Sequence, residues 1–431
     1  MTTRTDTAGE LAISGGPPCV EDPSSHPHLF HWPIVTAEDE QAVLNVIRDG
    51  GSPSGTDISM QFEKEFAEWM GVRHALSYPN GTMAIHVALW AAGIGRSDEV
   101  IVPSMTYWAS AMPVFSLGAT PVFADIDPDT LCIDPEDIEQ HISPHTKAIL
   151  PVHWGGYPAD MDAIMTIADK HDLTVIEDVS HAQGTLYKGR QVGTFGRVNA
   201  LSMMSGKSFA VGEGGMLLTD DQSIYERAIA FAHYSRHDQL DDPALKAHAG
   251  VPLGGIKGRM NQTCAAMGRG QLKHYPARIK EIQAALNRFW DLLEGTPGIR
   301  AHRPPADSGS TMGGWYAARG LYRADELGGL SCAAFCEAVR AEGVGDCWPG
   351  ANSPLHRHPA LNDVDIYGDG KPTRIANSDR DLRQPAGSLP VSENIFKIAF
   401  GIPWFKHDEP ELIAQYAAAY RKVALQADKL I

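Results

Sequence analysis

Residues 173–184, LTVIEDVSHAQG, and 198–219, VNALSMMSGKSFAVGEGGMLLT, decide the reading of the fold. LTVI is apolar and β-branched, as in a strand buried on both faces. Glu177 and Asp178 stand at its carboxyl end. In open α/β sheets, ligands bind outside the carboxyl ends of the strands. A carboxylate there needs a cation or hydrogen-bond donors to stay charged. An N-cap or a structural ion pair is the competing reading of Asp178. VNALSMM reads as a second strand, followed by small and polar residues around Lys207. A lysine is ordinarily a solvated surface charge. Lys207 instead sits between Gly206 and Ser208, with Met203-Met204 before it and Phe209-Ala210 after it. An amine in an apolar site loses proton affinity and becomes a usable nucleophile. Gly206-Lys207-Ser208 is not a phosphate-binding P-loop. That motif needs a glycine five positions before Gly206, where Leu201 stands. Asp178 and Lys207 are thus expected to grip one cofactor from two sides.

Composition sets outer limits. A chain of 431 residues exceeds one ordinary core, which predicts two packed units. Hydrophobic residues at 43% and charged residues at 21% match a soluble globular protein. A net charge of −17 with no basic stripe argues against nucleic acid. Six cysteines in so long a chain make no disulfide framework, and no spacing suggests a metal site. No apolar run reaches the roughly 18 residues of a membrane span. The polar start, TTRTDTAGE, carries no evident signal peptide, and a cytoplasmic location is expected.

Further segments fit an α/β order. Residues 36–50, TAEDEQAVLNVIRDG, have an N-cap threonine, acids in the first turn and helical apolar spacing, with Gly50-Gly51 as the stop. A loop, GSPSGTDI, and the helix QFEKEFAEWMG follow. Asn80-Gly81-Thr82 opens a helix whose free N–H groups suit a phosphate, although an ordinary N-cap looks the same. EVIVP, PVFADI and KAILPVH read as strands, and Asp160 opens the helix MDAIMTIADKHD. Strands alternating with helices predict a parallel sheet covered on both faces. Residues 221–255 read as polar and irregular, loop and short helix on a surface. Tyr275, Ile279, Ile282, Leu286, Phe289 and Leu293 form one apolar stripe on a long helix. Beyond it, WYAARGLY reads as a strand, SCAAFCEAVRAEG as a helix, and ELIAQYAAAYRKVALQADKL as a terminal amphipathic helix.

Six stretches together resemble the DegT/DnrJ/EryC1/StrS family of pyridoxal-phosphate (PLP) aminotransferases. They are NGTMAIHVAL (80–89), DEVIVPSMTYWAS (98–110), PVFADIDPDTLCID (121–134), PVHWGGYPADMD (151–162), IEDVSHAQG (176–184) and SMMSGKSFAVGEGGML (202–217). They stand in family order. The resemblance implies an α/β fold: an aspartate-aminotransferase-like (fold type I) large domain with a mostly parallel sheet, and a smaller α+β C-terminal domain. On that basis residues 1–28 form an N-terminal arm, possible disorder included. Residues 29–285 form the PLP-binding domain, and 286–431 the small one.

The resemblance also implies roles. Lys207 carries the cofactor as a Schiff base and Asp178 keeps its pyridine nitrogen protonated. The amides of Gly81 and Thr82 and the hydroxyl of Ser202 hold the phosphate. Tyr107 stacks on the ring, preferred over Trp108, and His181 lies beside the phenolic oxygen. Lys257 stands where the family has an asparagine that reaches the neighbouring subunit's phosphate, and lysine can serve there as a point charge. Arg259 matches a family arginine. His153 and His356 are expected near the substrate. The expected reaction moves an amino group from L-glutamine or L-glutamate, through pyridoxamine phosphate, to a keto cyclitol or keto sugar. The motifs look closest to the branch acting on scyllo-inosose-like and aminoshikimate-type rings, in antibiotic-type secondary metabolism. A homodimer with active sites at the interface is expected. The alternatives are a nucleotide-linked keto-sugar aminotransferase and a PLP-binding regulatory or assembly protein without turnover. A NAD-dependent dehydrogenase lacks the glycine loop it would need. Sugar-dehydrating relatives carry histidine in place of Lys207.

Overall fold

The apolar runs of the sequence become the inner strands of one sheet. A computed structural model describes residues 9–49 and 58–431. The helix stop at Gly50-Gly51 and the loop at 51–57 lie outside the described residues. The strands are β1 (His74–Tyr78), β2 (Glu99–Pro103), β3 (Thr120–Ala124), β4 (Thr146–Ile149), β5 (Thr174–Asp178), β6 (Val198–Ser202) and β7 (Gly215–Thr219). They form a seven-stranded sheet in the order β1-β7-β6-β5-β4-β2-β3. Pairing is parallel from β6 to β3, and β7 runs antiparallel to both β6 and β1. The expected mostly parallel α/β sheet is therefore present. Alternate strand residues enter two separate apolar layers: Leu201 and Leu218 on one face, Ala200 and Leu217 on the other.

Helices cover both faces. On one side pack α1 (Ala37–Arg48), α2 (Ile58–Met70) and the first half of a 31-residue helix, Gln262–Leu292. Thr36 caps α1 with the full reciprocal capping box to Asp39. On the other side lie α3 (Gly81–Ala91) and the helix Gln222–Ala232. The latter corrects the reading of 221–255 as surface chain. Ile224, Ala228, Ile229 and Phe231 are buried, and only the stretch after it is polar and irregular.

The long helix links two cores. Tyr275 and Ile279 belong to the sheet's core, while Ile282, Leu286 and Phe289 belong to a second. The second core packs Cys332–Ala341 and Pro410–Leu425 against a three-stranded antiparallel sheet of Ile299–Ala301, Arg319–Tyr322 and Ala399–Gly401. Only the last four residues of WYAARGLY are strand. Trp315 (φ 54°) and Ala317 (φ 52°) are left-handed and break it.

Two expectations about chain division change. Residues 9–28 are not a loose lead-in. Leu11 and Val20 are buried in the second core, and Glu342 accepts from the N–H groups of Ala12 (2.8 Å) and Cys19 (3.1 Å). Lys422 closes this anchor at 2.9 Å from Glu342. The segment 355–392 packs against the first sheet rather than the second. Leu355 N–H donates to Ser104 O, Arg374 Nε donates to Pro121 O, and the N–H groups of Val391 and Ser392 donate to Asp125. This segment covers the open edge at β3, which would otherwise expose unpaired backbone groups.

Phe289 ties the long helix to the second core through rings at 5.7 Å (Phe405) and 5.4 Å (Tyr420). Phe289→Ala is expected to cost about 3–5 kcal/mol. Urea unfolding should show a lower midpoint; a midpoint unchanged from wild type would contradict that packing.

Candidate active site

One cavity of about 550 Å³ opens at the carboxyl ends of the central strands. Asp178 ends β5 and is 4% exposed. Its Oδ2 accepts from Ser110 Oγ at 2.8 Å and its Oδ1 from Ser180 N–H at 3.0 Å. Thr106 Oγ1 backs Ser110 at 3.1 Å. Hydroxyl and amide donors satisfy the carboxyl group, with no lysine or arginine ion pair among the described residues. The neighbouring Glu177 serves a different purpose. It accepts three backbone N–H groups, from Gly193, Phe195 and Gly196, each at 2.7 Å, and so fixes a loop.

Lys207 lies in the turn between β6 and β7 and is 7% exposed. Backbone bonds from Met203 to Gly214 (2.7 Å) and from Ser205 to Gly212 (2.8 Å) shape that turn. Trp32 Nε1 donates to Lys207 O at 2.8 Å, and the Tyr316 ring stands 4.2 Å from Nζ. Burial pulls the amine down to about 8, and the negative charge of Asp178 partly opposes this. Near neutral pH a usable fraction of the amine is therefore unprotonated. The left-handed residues Trp315 and Ala317 flank Tyr316. Backbone strain of this kind, of order 1–3 kcal/mol per residue, collects at functional sites.

His181 is buried and its pKa is pushed well below the ordinary value, by burial first and then by Lys207 and Arg319. It is neutral. Its Nδ1 accepts from Gly155 N–H at 3.4 Å, so the ring proton sits on Nε2 as a donor.

The phosphate-type cradle lies at the start of α3. Asn80 Oδ1 caps Met83 N–H at 2.9 Å. The helix itself supplies no acceptor to the N–H groups of Gly81 and Thr82, and both residues line the cavity. Close packing explains the glycines. A Cβ on Gly81 would stand 2.5 Å from Ser202 Cβ, and one on Gly215 would stand 2.3 Å from Asn80 O. Ser202 Oγ accepts from Met204 N–H at 3.3 Å, which leaves its hydroxyl proton free to donate. Tyr107 (50% exposed) and Trp108 (45% exposed) stand at the mouth, ring centroids 4.9 Å apart.

The structure thus brings Gly81, Thr82, Tyr107, Asp178, His181, Ser202 and Lys207 to one cavity. It does not bring His153 or His356 there. His153 is fully buried between Glu177 Oε2 (3.0 Å) and Ala159 N–H (3.0 Å). His356 is fully buried between Ser104 Oγ (2.6 Å) and Glu393 Oε1 (3.0 Å). Both are structural imidazoles, and their expected place near the substrate is corrected. Lys257 is exposed, 5.7 Å from the Tyr234 ring, and does not line the cavity of its own chain. Sequence reading missed Ser110, Tyr316, Arg319 and Asn352. Ser110 lay within the quoted DEVIVPSMTYWAS; the other three carry no local signal.

The geometry agrees with similarity to known proteins. A profile of the DegT/DnrJ/EryC1/StrS aminotransferase family matches residues 33–399. A putative L-glutamine:3-amino-2,3-dideoxy-scyllo-inosose aminotransferase of Micromonospora echinospora is 32% identical over 423 residues, 96% of this chain and 97% of its own. A GDP-perosamine synthase of Escherichia coli O157:H7 is 39% identical over 255 residues, 58% of this chain and 68% of its own. Among solved structures, an aminotransferase from Psychrobacter cryohalolentis superposes with a TM-score of 0.80 at 31% identity, covering 93% of this chain and 100% of that one. A 3-amino-5-hydroxybenzoic acid synthase gives 0.76 at 25% identity, covering 91% and 98%.

In protein stripped of small molecules, Lys207 should titrate near 8 rather than 10.5. Its reductive methylation, read by peptide mass spectrometry, should rise with pH through that value. Asp178 raises the amine's proton affinity, so Asp178→Asn should move the rise to lower pH. A rise centred on the ordinary lysine range would refute the buried-amine account.

Proposed function

Since the chain belongs to the DegT/DnrJ/EryC1/StrS aminotransferase family, it is a PLP-dependent aminotransferase, and we propose that it aminates a keto cyclitol at the expense of L-glutamine or L-glutamate. The residues fit the cofactor. Gly81, Thr82 and Ser202 would form a donor cradle for its phosphate, and Asp178 would pair with its pyridine nitrogen. His181 Nε2–H would donate to its phenolic oxygen, and Lys207 would supply the amine that carries it. Bound there, PLP supplies a carbonyl carbon that takes the amino group and a ring that accepts an electron pair. Asp178 holds a proton on the ring nitrogen. Lys207 Nζ would remove a proton from the donor's α-carbon in the first half-reaction and deliver one to the acceptor's former carbonyl carbon in the second. Its depressed pKa suits both directions near neutral pH.

One observation favours a neutral ring over a nucleotide-linked sugar as acceptor. Lys207 and Arg319 are the only Lys or Arg side chains among the described residues lining the cavity, while exposed Glu213 and the aromatic pair Tyr107-Trp108 line its outer part. A diphosphate is held by cations and helix N-termini, and the α3 N-terminus is already assigned. A polyhydroxy ring needs only hydrogen bonds and an apolar face. The cyclitol relative that runs nearly the full chain supports the same choice. The reading extends to antibiotic-type secondary metabolism in the cytoplasm. It includes a homodimer in which exposed Lys257 reaches the neighbour's phosphate.

The deciding test loads the protein with pyridoxamine phosphate and offers keto cyclitols and nucleotide-linked keto sugars. Return of the PLP absorbance with a cyclitol, and not with nucleotide sugars, is expected; the reverse pattern overturns the acceptor. Lys207→Ala should abolish turnover. Asp178→Asn should retain cofactor and lose on the order of 10²-fold in rate, measured by single-turnover bleaching with glutamine. An unchanged rate would refute the role of Asp178.

A further inference from the structure

Arg319 begins the strand that follows Tyr316, and it lines the active-site cavity. Its Nε donates to Gly350 O at 3.0 Å, and its Nη1 donates to Ala318 O at 3.0 Å and Ala317 O at 3.2 Å. These carbonyls fix the guanidinium plane but neutralise no charge. No carboxylate forms an ion pair with it among the described residues, and Nη2 makes no hydrogen bond to any of them. Burial lowers its pKa, although arginine stays charged at working pH. The side chain is half-buried, and exposed Asp346 acts on it only as a charge without a direct ion pair, so a cation that is costly to desolvate lacks a bonded anion. Its cost is relieved if the missing anion arrives with a substrate.

Asn352 supplies a second donor beside it. Trp154 Nε1 lies 3.2 Å from Asn352 Oδ1, and the Trp154 ring lies 5.7 Å from the Arg319 guanidinium. An indole N–H can only donate, so the amide oxygen must face Trp154 and the amide N–H₂ must face elsewhere. Asn352 also lines the cavity. A planar fork and an amide N–H₂ on one wall make a receptor for a carboxylate. Each amino donor considered above carries an α-carboxylate next to the carbon at which Lys207 moves a proton. A neutral cyclitol carries none.

We infer that Arg319, assisted by Asn352, is the receptor for the α-carboxylate of the amino donor. This rests on the aminotransferase reading with an amino-acid donor. The pair orients the donor so that its α-hydrogen faces Lys207, and it acts in the donor half-reaction only.

The test uses three probes on the PLP-loaded protein: L-glutamine, L-glutaminol, in which an alcohol replaces the α-carboxylate, and glutaramate, which is glutamine without its amine. Wild type should bleach with glutamine far more readily than with glutaminol, and should bind glutaramate by calorimetry. Arg319→Met should raise the glutamine KM on the order of 10–10²-fold. It should erase the preference over glutaminol, weaken glutaramate binding by a similar factor, and leave the acceptor KM within about twofold of wild type. Arg319→Met strands three carbonyls, so Asn352→Ala and Arg319→Lys serve as milder variants, with intermediate losses expected in the same three readouts. Equal use of glutamine and glutaminol by wild type overturns the inference without any variant. So does a rise in acceptor KM with an unchanged donor KM, which would place the anion on the acceptor. Failure of wild type to bleach with glutamine or glutamate defeats the donor reading instead, while glutaramate binding still reports on Arg319 itself.

Discussion

The site depends on keeping a buried amine and a buried carboxylate apart. At about 4 Å, opposite charges attract by about 4 kcal/mol at an effective dielectric of 20. A direct Lys207–Asp178 pair would gain that energy, hold the amine protonated and close the cavity. The chain avoids this by giving Asp178 other partners, the Ser110 hydroxyl and the Ser180 amide. Lys207 then meets Asp178 only as a distant charge that raises its pKa while burial lowers it. Parallel pairing of Asp178 with Ala200 fixes the spacing, because β5 delivers the acid and the next strand, β6, leads into the lysine turn. The separation of acid and amine follows from the sheet register.

The same register explains the glycines. The start of α3, the end of β6 and the start of β7 meet where Asn80, Gly81, Ser202 and Gly215 touch. Side chains at the two glycines would force these elements apart. Helix N–H groups and the Ser202 hydroxyl would then no longer converge on one anion. Apolar packing below and anion binding above are thus two results of one close contact.

What sequence could show follows from distance along the chain. Strand, acid and lysine fall within 35 residues, and each lies in a local pattern of strand end or tight turn, so β5, Asp178 and Lys207 stood out, whereas Gly81 looked like an ordinary N-cap and entered only through the family resemblance. Tyr316 reaches Lys207 from more than 100 residues away, held by a left-handed turn and by Trp404, whose Nε1 donates to Gly314 O at 3.0 Å. No periodicity announces such a contact. His153 and His356 were misplaced because the fold satisfies both ring nitrogens internally, and their sequence neighbours do not reveal those partners. The buried helix Gln222–Ala232 was read as surface because the polar stretch after it coloured the whole segment. The 355–392 segment was assigned by its place in the chain, yet the open edge of β3 claims it.

Two half-reactions must share one cavity, and the wall chemistry divides them by depth. Lys207 and the neutral His181 donor lie inward, at 7% and 5% exposure, whereas Tyr107 and Trp108 at the mouth are about half exposed. An amino donor is small and carries an α-carboxylate, which the proposed receptor on the cavity wall would hold by its charge. On the proposed reading, the acceptor ring would place only one carbonyl at the same depth, and the rest of it would meet aromatic faces and Glu213. Discrimination among acceptors then rests on weak contacts at the rim. On that reading, a change of acceptor would need substitutions at the rim rather than at the inner wall, in keeping with relatives named for a scyllo-inosose and for GDP-perosamine sharing one family.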